Sequence, residues 1–293
     1  MNPAELKTRV ENIRELATLP SVITELMELL DDPNVSLRRL GSIVEGDPAL
    51  TVKVLRVANS PFYGIRGRIH TIQQAVALLG LTEFNNLLVS ISLFSKLFNE
   101  KSKTLPQLSS YWDHSIACAL LSRLLVAKLF IPTGGREFTA GLLHDVGKLV
   151  LLEHFPSLAV TVHMKMFNEH LEQLDAERTV LGVTHMDIGG WVAEKWRLPV
   201  SYVEVIKYHH HPALAQLNKS LVAVTQISNI LSHQQNQAEE QNGSENISST
   251  EAWTVLKSEN PSVQHVNLDQ VISEIQLSDN ATKEMMSQLT GGK

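Results

Sequence analysis

The amino-acid sequence predicts an all-α protein, and three observations carry that expectation. Apolar residues recur at intervals of three and four along most of the chain, helix-starting and helix-stopping residues bracket those runs, and no convincing alternation of apolar and polar residues marks a strand. The 293 residues suffice for one large or two modest domains, and 43% hydrophobic content with only 5% aromatic suits packed helices. A formal net charge of −6 gives no electrostatic support to nucleic-acid binding. The single cysteine, Cys118, excludes an internal disulfide framework and fits a reducing compartment. The first residues, MNPAELKTRVENIREL, are charged and amphipathic, and no apolar run approaches the ~18 residues of a membrane span. These features lead to the expectation of a cytoplasmic protein with no membrane partner.

Taken in order, residues 1–17 read as an amphipathic helix. Pro20 opens a second, with Val22, Ile23, Leu26, Leu29 and Leu30 on one side and Asp31-Asp32-Pro33 at its end. Ser36 caps a third, carrying Leu37, Leu40, Ile43 and Val44. Asp47-Pro48 places a cap oxygen just before Pro at the first helical position, and ALTVKVLRVANS follows with helical spacing. Thr71 opens TIQQAVALLG, which Gly80 closes, and LTEFNNLLVSISLFSKLF is a longer helix, apolar nearly all round. The polar, Pro-containing KSKTLPQ (101–107) is a boundary. From Trp112 a helix runs to about Phe130, with His114 on its buried face above Ala117, Cys118, Leu121, Leu124 and Leu125. Thr184–Asp187 and Ser201–Glu204 have capping-box spacing, which places His185 at a helix start. A last patterned helix covers about 219–231. SHQQNQAEEQNGSENISST (232–250) has too few apolar residues to offset its ordering entropy and reads as a disordered linker. Residues 251–293 read as a tail of short helices.

The chemistry concentrates in EFTAGLLHDVGKLVLLEHF (137–155). Read as one helix, it is too apolar for a surface position, yet it carries His144, Asp145 and Lys148, with His144 and Lys148 on one face. An adjacent imidazole and carboxylate in a buried segment need partners, and such a pair also offers a nitrogen and an oxygen to one divalent ion. His209, His210 and His211 cannot all face one site if helical, because neighbours diverge by about 100°. His211 reads as an exposed cap, and His70, His154, His163, His170, His233 and His265 as ordinary.

Residues 19–98, with DPALTVKVLRVANSPFYG as the most specific stretch, resemble the HDOD domain, a helical bacterial signalling module related to the HD phosphohydrolases. The resemblance continues through WDHS, FTAGLLHDVGKLVL and YVEVIKYHHHP, so that it covers about 15–231. It implies an N-terminal helical half (1–105) packed on an HD-like helical subdomain (106–231). It also implies a metal-ligand set of His114, His144, Asp145, His185, His209 and His210, with Lys148 beside a phosphate if the protein is active. The closing Asp of that set falls at Gln226, and neither Gln226 nor Asn229 supplies an anionic ligand. One divalent ion (Fe, Mn or Zn) or none is therefore expected. The expected function is a regulatory module of signal transduction that binds a protein partner or a nucleotide ligand without turnover. The alternative is a metal-dependent phosphohydrolase acting on a cyclic or linear nucleotide.

Overall fold

The computed structural model describes residues 2–14, 16, 21–30, 39, 41, 43–44, 46–60, 63–65, 67–97, 106–236 and 246–276. Among them there is no strand. The first group of helices is α1 (Pro3–Glu11), α2 (Ser21–Leu30), α3 (Pro48–Ala58), α4 (Ile72–Leu79) and α5 (Leu81–Leu97). Then come α6 (Pro106–Leu129), α7 (Glu137–Leu143), α8 (Val146–His154), α9 (Pro156–Glu169) and α10 (Gln173–Leu181). The last are α11 (His185–Lys195), α12 (Val200–Tyr208), α13 (Lys219–Asn236), α14 (Glu251–Glu259) and α15 (Leu268–Gln276). Most of the segment expected after Ser36 lies outside the described residues.

The local start signals work as their chemistry predicts. Asp47 Oδ1 accepts from the N–H groups of Ala49 (2.9 Å) and Leu50 (3.0 Å), so two orphan donors at the start of α3 are satisfied. Thr71 and Gln74 form a reciprocal box at the start of α4, which ends at Gly80 with φ +80°. Asp187 closes the box at α11 by accepting from Thr184 N at 2.8 Å. The box expected at Ser201 does not form. Helix α12 begins two residues earlier, after Pro199, and Glu204 turns away to the 216–218 loop.

There the Glu204 carboxylate accepts from the N–H groups of Gln216 (2.7 Å), Leu217 (3.1 Å) and Asn218 (2.8 Å) and from Asn218 Nδ2 (2.8 Å). Burial raises its pKa, but these donors outweigh burial and leave it lowered. The stabilisation is therefore present above the ordinary Glu value and is lost as pH falls through the lower folded value. Glu204→Ala strands several backbone donors and is expected to cost about 2–3 kcal/mol in denaturant unfolding at neutral pH.

One apolar core runs from Leu6 and Val10 of α1 through α2–α5 and on to α6–α12. Helix α1, first in the chain, packs on α11, where Lys195 Nζ donates to Glu11 O and the buried Trp196 indole donates to Leu16 O at 2.9 Å. A second core joins Leu121, Leu125 and Leu129 of α6 to Val224, Ile227 and Leu231 of α13 and to Trp253 and Leu256 of α14. Helix α14 covers α13, and α15 reaches α6. Residues 232–236 and 246–250 of the segment read as a linker have regular structure. Helix α13 continues to Asn236 because Ser232 is wholly buried, and residues 246–250 are ordered up to the Thr250 cap of α14. Residues 237–245 and 277–293 lie outside the described residues. No helix among the described residues is long and apolar enough to cross a membrane.

Candidate metal centre

The segment 137–155 is not one helix. It breaks at His144 and Asp145, between α7 and α8, with Asp145 at φ −101° and ψ 18°. The break turns the imidazole and carboxylate inward together and leaves Lys148 three residues on, its Nζ 2.8 Å from Asp145 Oδ2. Two glycines bring the partner helices close. A Cβ on Gly141 would lie 2.6 Å from Ala119 Cα of α6, and one on Gly147 would lie 1.9 Å from His185 O of α11. These contacts deliver His114 on α6 and His185 at the start of α11 to the pair.

Four imidazole Nε2 atoms then face a single carboxylate. His114 Nε2 and His144 Nε2 lie 3.6 and 3.3 Å from Asp145 Oδ2 and 3.4 Å from each other. His185 Nε2 and His209 Nε2 lie 3.2 and 3.3 Å from Oδ1 and 3.2 Å from each other. Asp145 thus gives one oxygen to each of two triangles. A tetrahedral ion with bonds of about 2.0–2.2 Å holds its ligand atoms about 3.3–3.6 Å apart, close to these edges.

Outer partners fix which nitrogen faces inward. His144 Nδ1 donates to Gly141 O (2.7 Å), and His209 Nδ1 to the carbonyls of Val205 and Ile206 (3.2 Å each). His185 Nδ1 donates to Glu177 (2.8 Å). Ser232 Oγ gives its own proton to Asn229 O (2.8 Å), so at 3.0 Å it accepts from His114 Nδ1. With every Nδ1 occupied, the inward Nε2 atoms of the neutral rings carry lone pairs. His210 Nε2 is buried without a hydrogen-bond partner, and neither Asp145 oxygen receives a well-directed hydrogen bond. Buried acceptors faced by the ammonium of Lys148 and by too few other donors fit a cation. Two clusters meet that chemistry: His114, His144 and Asp145, and His185, His209 and His210.

The charges of the cluster are strongly coupled. Burial lowers His144 and raises Asp145, but their mutual attraction wins, leaving His144 well above and Asp145 well below its ordinary value, the latter helped by Lys148. His185 is also raised, because Asp145 and Glu177 outweigh burial and the repulsion of Lys148. Burial and neighbouring imidazoles push His114 down to about 3, and burial pushes His209 down to about 4. Within each triangle, a proton is favoured on His144 over His114 and on His185 over His209. Loading divalent ions is expected to release protons from the centre, read by calorimetry in buffers of different ionisation enthalpy. Stability from the raised His144 and His185 is present below 6.5 and lost as pH rises through their folded values; that from the lowered His114 and His209 is present above 6.5 and lost as pH falls through theirs. The cation-free protein should melt highest near the ordinary histidine value.

Glu177 was not among the residues expected here. On α10, 1% exposed, it accepts from His185 N (2.7 Å) as well as His185 Nδ1. Burial raises its pKa, yet His185 leaves it lowered. Only its place in an otherwise polar helix was visible in sequence, and that distinguishes nothing. Glu177→Gln should weaken metal affinity about 10–100-fold, measured by chelator competition.

The six expected ligands are all brought together, Lys148 with them. His209 and His210 both reach the site at the end of α12, their ring centroids 4.4 Å apart. His163, His170 and His211 are exposed as expected. His233 is not ordinary, since its ring stacks on His114 at 4.5 Å between centroids. Gln226 stands at the His210 end, its Nε2 donating to His210 O at 3.2 Å.

Fold and site together define an all-helical protein with a buried His/Asp cluster of HD type. The HDOD domain family model matches residues 16–212, and the chain belongs to that family. A solved HDOD domain protein from Geobacter sulfurreducens is 22% identical with a TM-score of 0.79, over 98% of this chain and 96% of its own. A protein from Marinobacter aquaeolei VT8, provisionally named for signal transduction, is 23% identical with a TM-score of 0.70, over 97% of this chain and 61% of its own. An uncharacterized protein of Treponema pallidum (strain Nichols) is 24% identical over 231 residues, 75% of this chain. The chain spans only 42% of that relative's length.

Proposed function

We propose that this chain is a metal-binding regulatory module of bacterial signal transduction, which acts by contact with a protein partner or a nucleotide ligand and not by turnover. His114, His144 and Asp145 would hold one divalent ion (Fe, Mn or Zn), and Asp145, His185, His209 and His210 a second. A bound ion would neutralise the converging lone pairs and tie α6, the α7–α8 break, α11 and the end of α12 to one point. Stability and shape would then follow metal occupancy.

The observation that carries this reading is burial. His144, Asp145, His185 and His209 are each 1% exposed or less, whereas a hydrolytic metal must present an open position to water and substrate. Gln226 in place of an anionic ligand supports the same side. The test is to purify the protein without chelator, measure bound metal, and assay hydrolysis of cyclic dinucleotides and bis(p-nitrophenyl) phosphate. Bound metal with turnover far below about 1 per second is expected, and turnover at that rate or faster would overturn the reading.

A phosphohydrolase is the second reading, and one observation favours it. Lys148, with its side chain 17% exposed, lines a cavity of about 250 Å³ together with Glu177, Gln173 and His163. A phosphate there would meet the ammonium that now pairs with Asp145.

A further inference from the structure

We propose that His233 is a further metal ligand, closing the His114/His144/Asp145 triangle where the family's acid is missing; this rests on the metal-centre reading above. The two triangles are unequally supplied. The His185/His209 pair has His210 as an additional nitrogen within 4.8 Å, whereas the His114/His144 cluster has only Asp145. A four-coordinate ion there lacks a donor.

Helix α13 runs past both ends of the centre, and its register says where the donor comes from. Gln226 meets His210 O at one end, while Ser232 Oγ meets His114 Nδ1 at the other. His233 lies seven residues beyond Gln226, which is about 20° short of two full turns and about 10 Å along the axis. It therefore occupies the same helix face but stands beside the under-supplied triangle. Its ring stacks on His114 with 29° between planes. Exposure on its outer side leaves the imidazole able to change rotamer, which exposed side chains do in picoseconds to nanoseconds. Imidazole is the commonest metal ligand, and three nitrogens with one carboxylate oxygen suit Zn or Fe. The competing donor is Asn229 Oδ1, buried without a partner one turn earlier, but a neutral amide oxygen is the weaker ligand.

The test uses the full chain loaded with Co(II) or Zn(II). His233→Ala should keep the ion at the His185 end, lose at least about tenfold in affinity for the other, and change the visible Co(II) spectrum. Chelator-treated His233→Ala should melt as the parent does, which separates ligation from folding. Unaltered stoichiometry, affinity and spectrum would overturn the inference, as would loss of the ion in Asn229→Ala with none in His233→Ala. A parent chain that binds no ion at all would instead sink the metal-centre reading itself.

Discussion

Asp145→Asn is expected to empty the centre of metal. The substitution keeps the shape of the side chain and removes the one charge that both triangles share. Loss of an outer partner such as Glu177 weakens a site about 10–100-fold, and a bridging ligand should cost more than that at both positions. Metal content by mass spectrometry should fall to background. Stability should fall as well, even with chelator present. Lys148 Nζ sits 2.8 Å from the carboxylate, and the protons on His144 and His185 depend on it. Removing one partner from a buried charged set costs about 3–5 kcal/mol, which denaturant unfolding would read. A variant that kept full metal and parental stability would show that Asp145 is not the pivot.

Gly147→Ala should be nearly as damaging by a different route. Its Cβ would sit 1.9 Å from His185 O and 2.8 Å from Gly189 N, both backbone atoms that cannot turn aside. Relief requires α8 and α11 to separate, which draws Asp145 away from His185. Overpacking of this severity is expected to cost more than about 3 kcal/mol and to lower metal content together with stability. Gly190→Ala is the control. Its Cβ would meet only the Lys207 side chain, whose nearest atom, Cε at 2.7 Å, belongs to a flexible stem that can move. That variant should unfold within about 1 kcal/mol of the parent, and equal damage from both would remove the close-approach explanation.

Much of this was legible in the residues because local chemistry decided it. Asp47-Pro48 and Thr71 start helices through their own side chains, so α3 and α4 could be placed without tertiary information. The burial of His114 followed from the apolar stripe it heads. Positions settled by long-range contact were not legible. The break at His144–Asp145 lies inside a continuous apolar run, and although Asp145 and Gly147 are weak helix formers, where the chain turns was decided by its convergence on α6 and α11. Ser201–Glu204 had the spacing of a cap, but the donors of the 216–218 loop compete better for the carboxylate. Ser232 and His233 sit where apolar residues run out, so composition concealed their support of His114. The joint arrival of His209 and His210 at the end of α12 is a matter of side-chain placement that spacing alone does not show.

The support that Ser232 gives His114 bears on how this domain should be cut for expression. The match to the family model ends at residue 212, seven positions before α13 begins. A fragment trimmed there would strip the hydroxyl from the first imidazole and bare the apolar side of α6 that α13 and α15 cover. The cooperative unit is longer than the span of the family model, and a truncation series should lose two-state melting before it reaches that boundary.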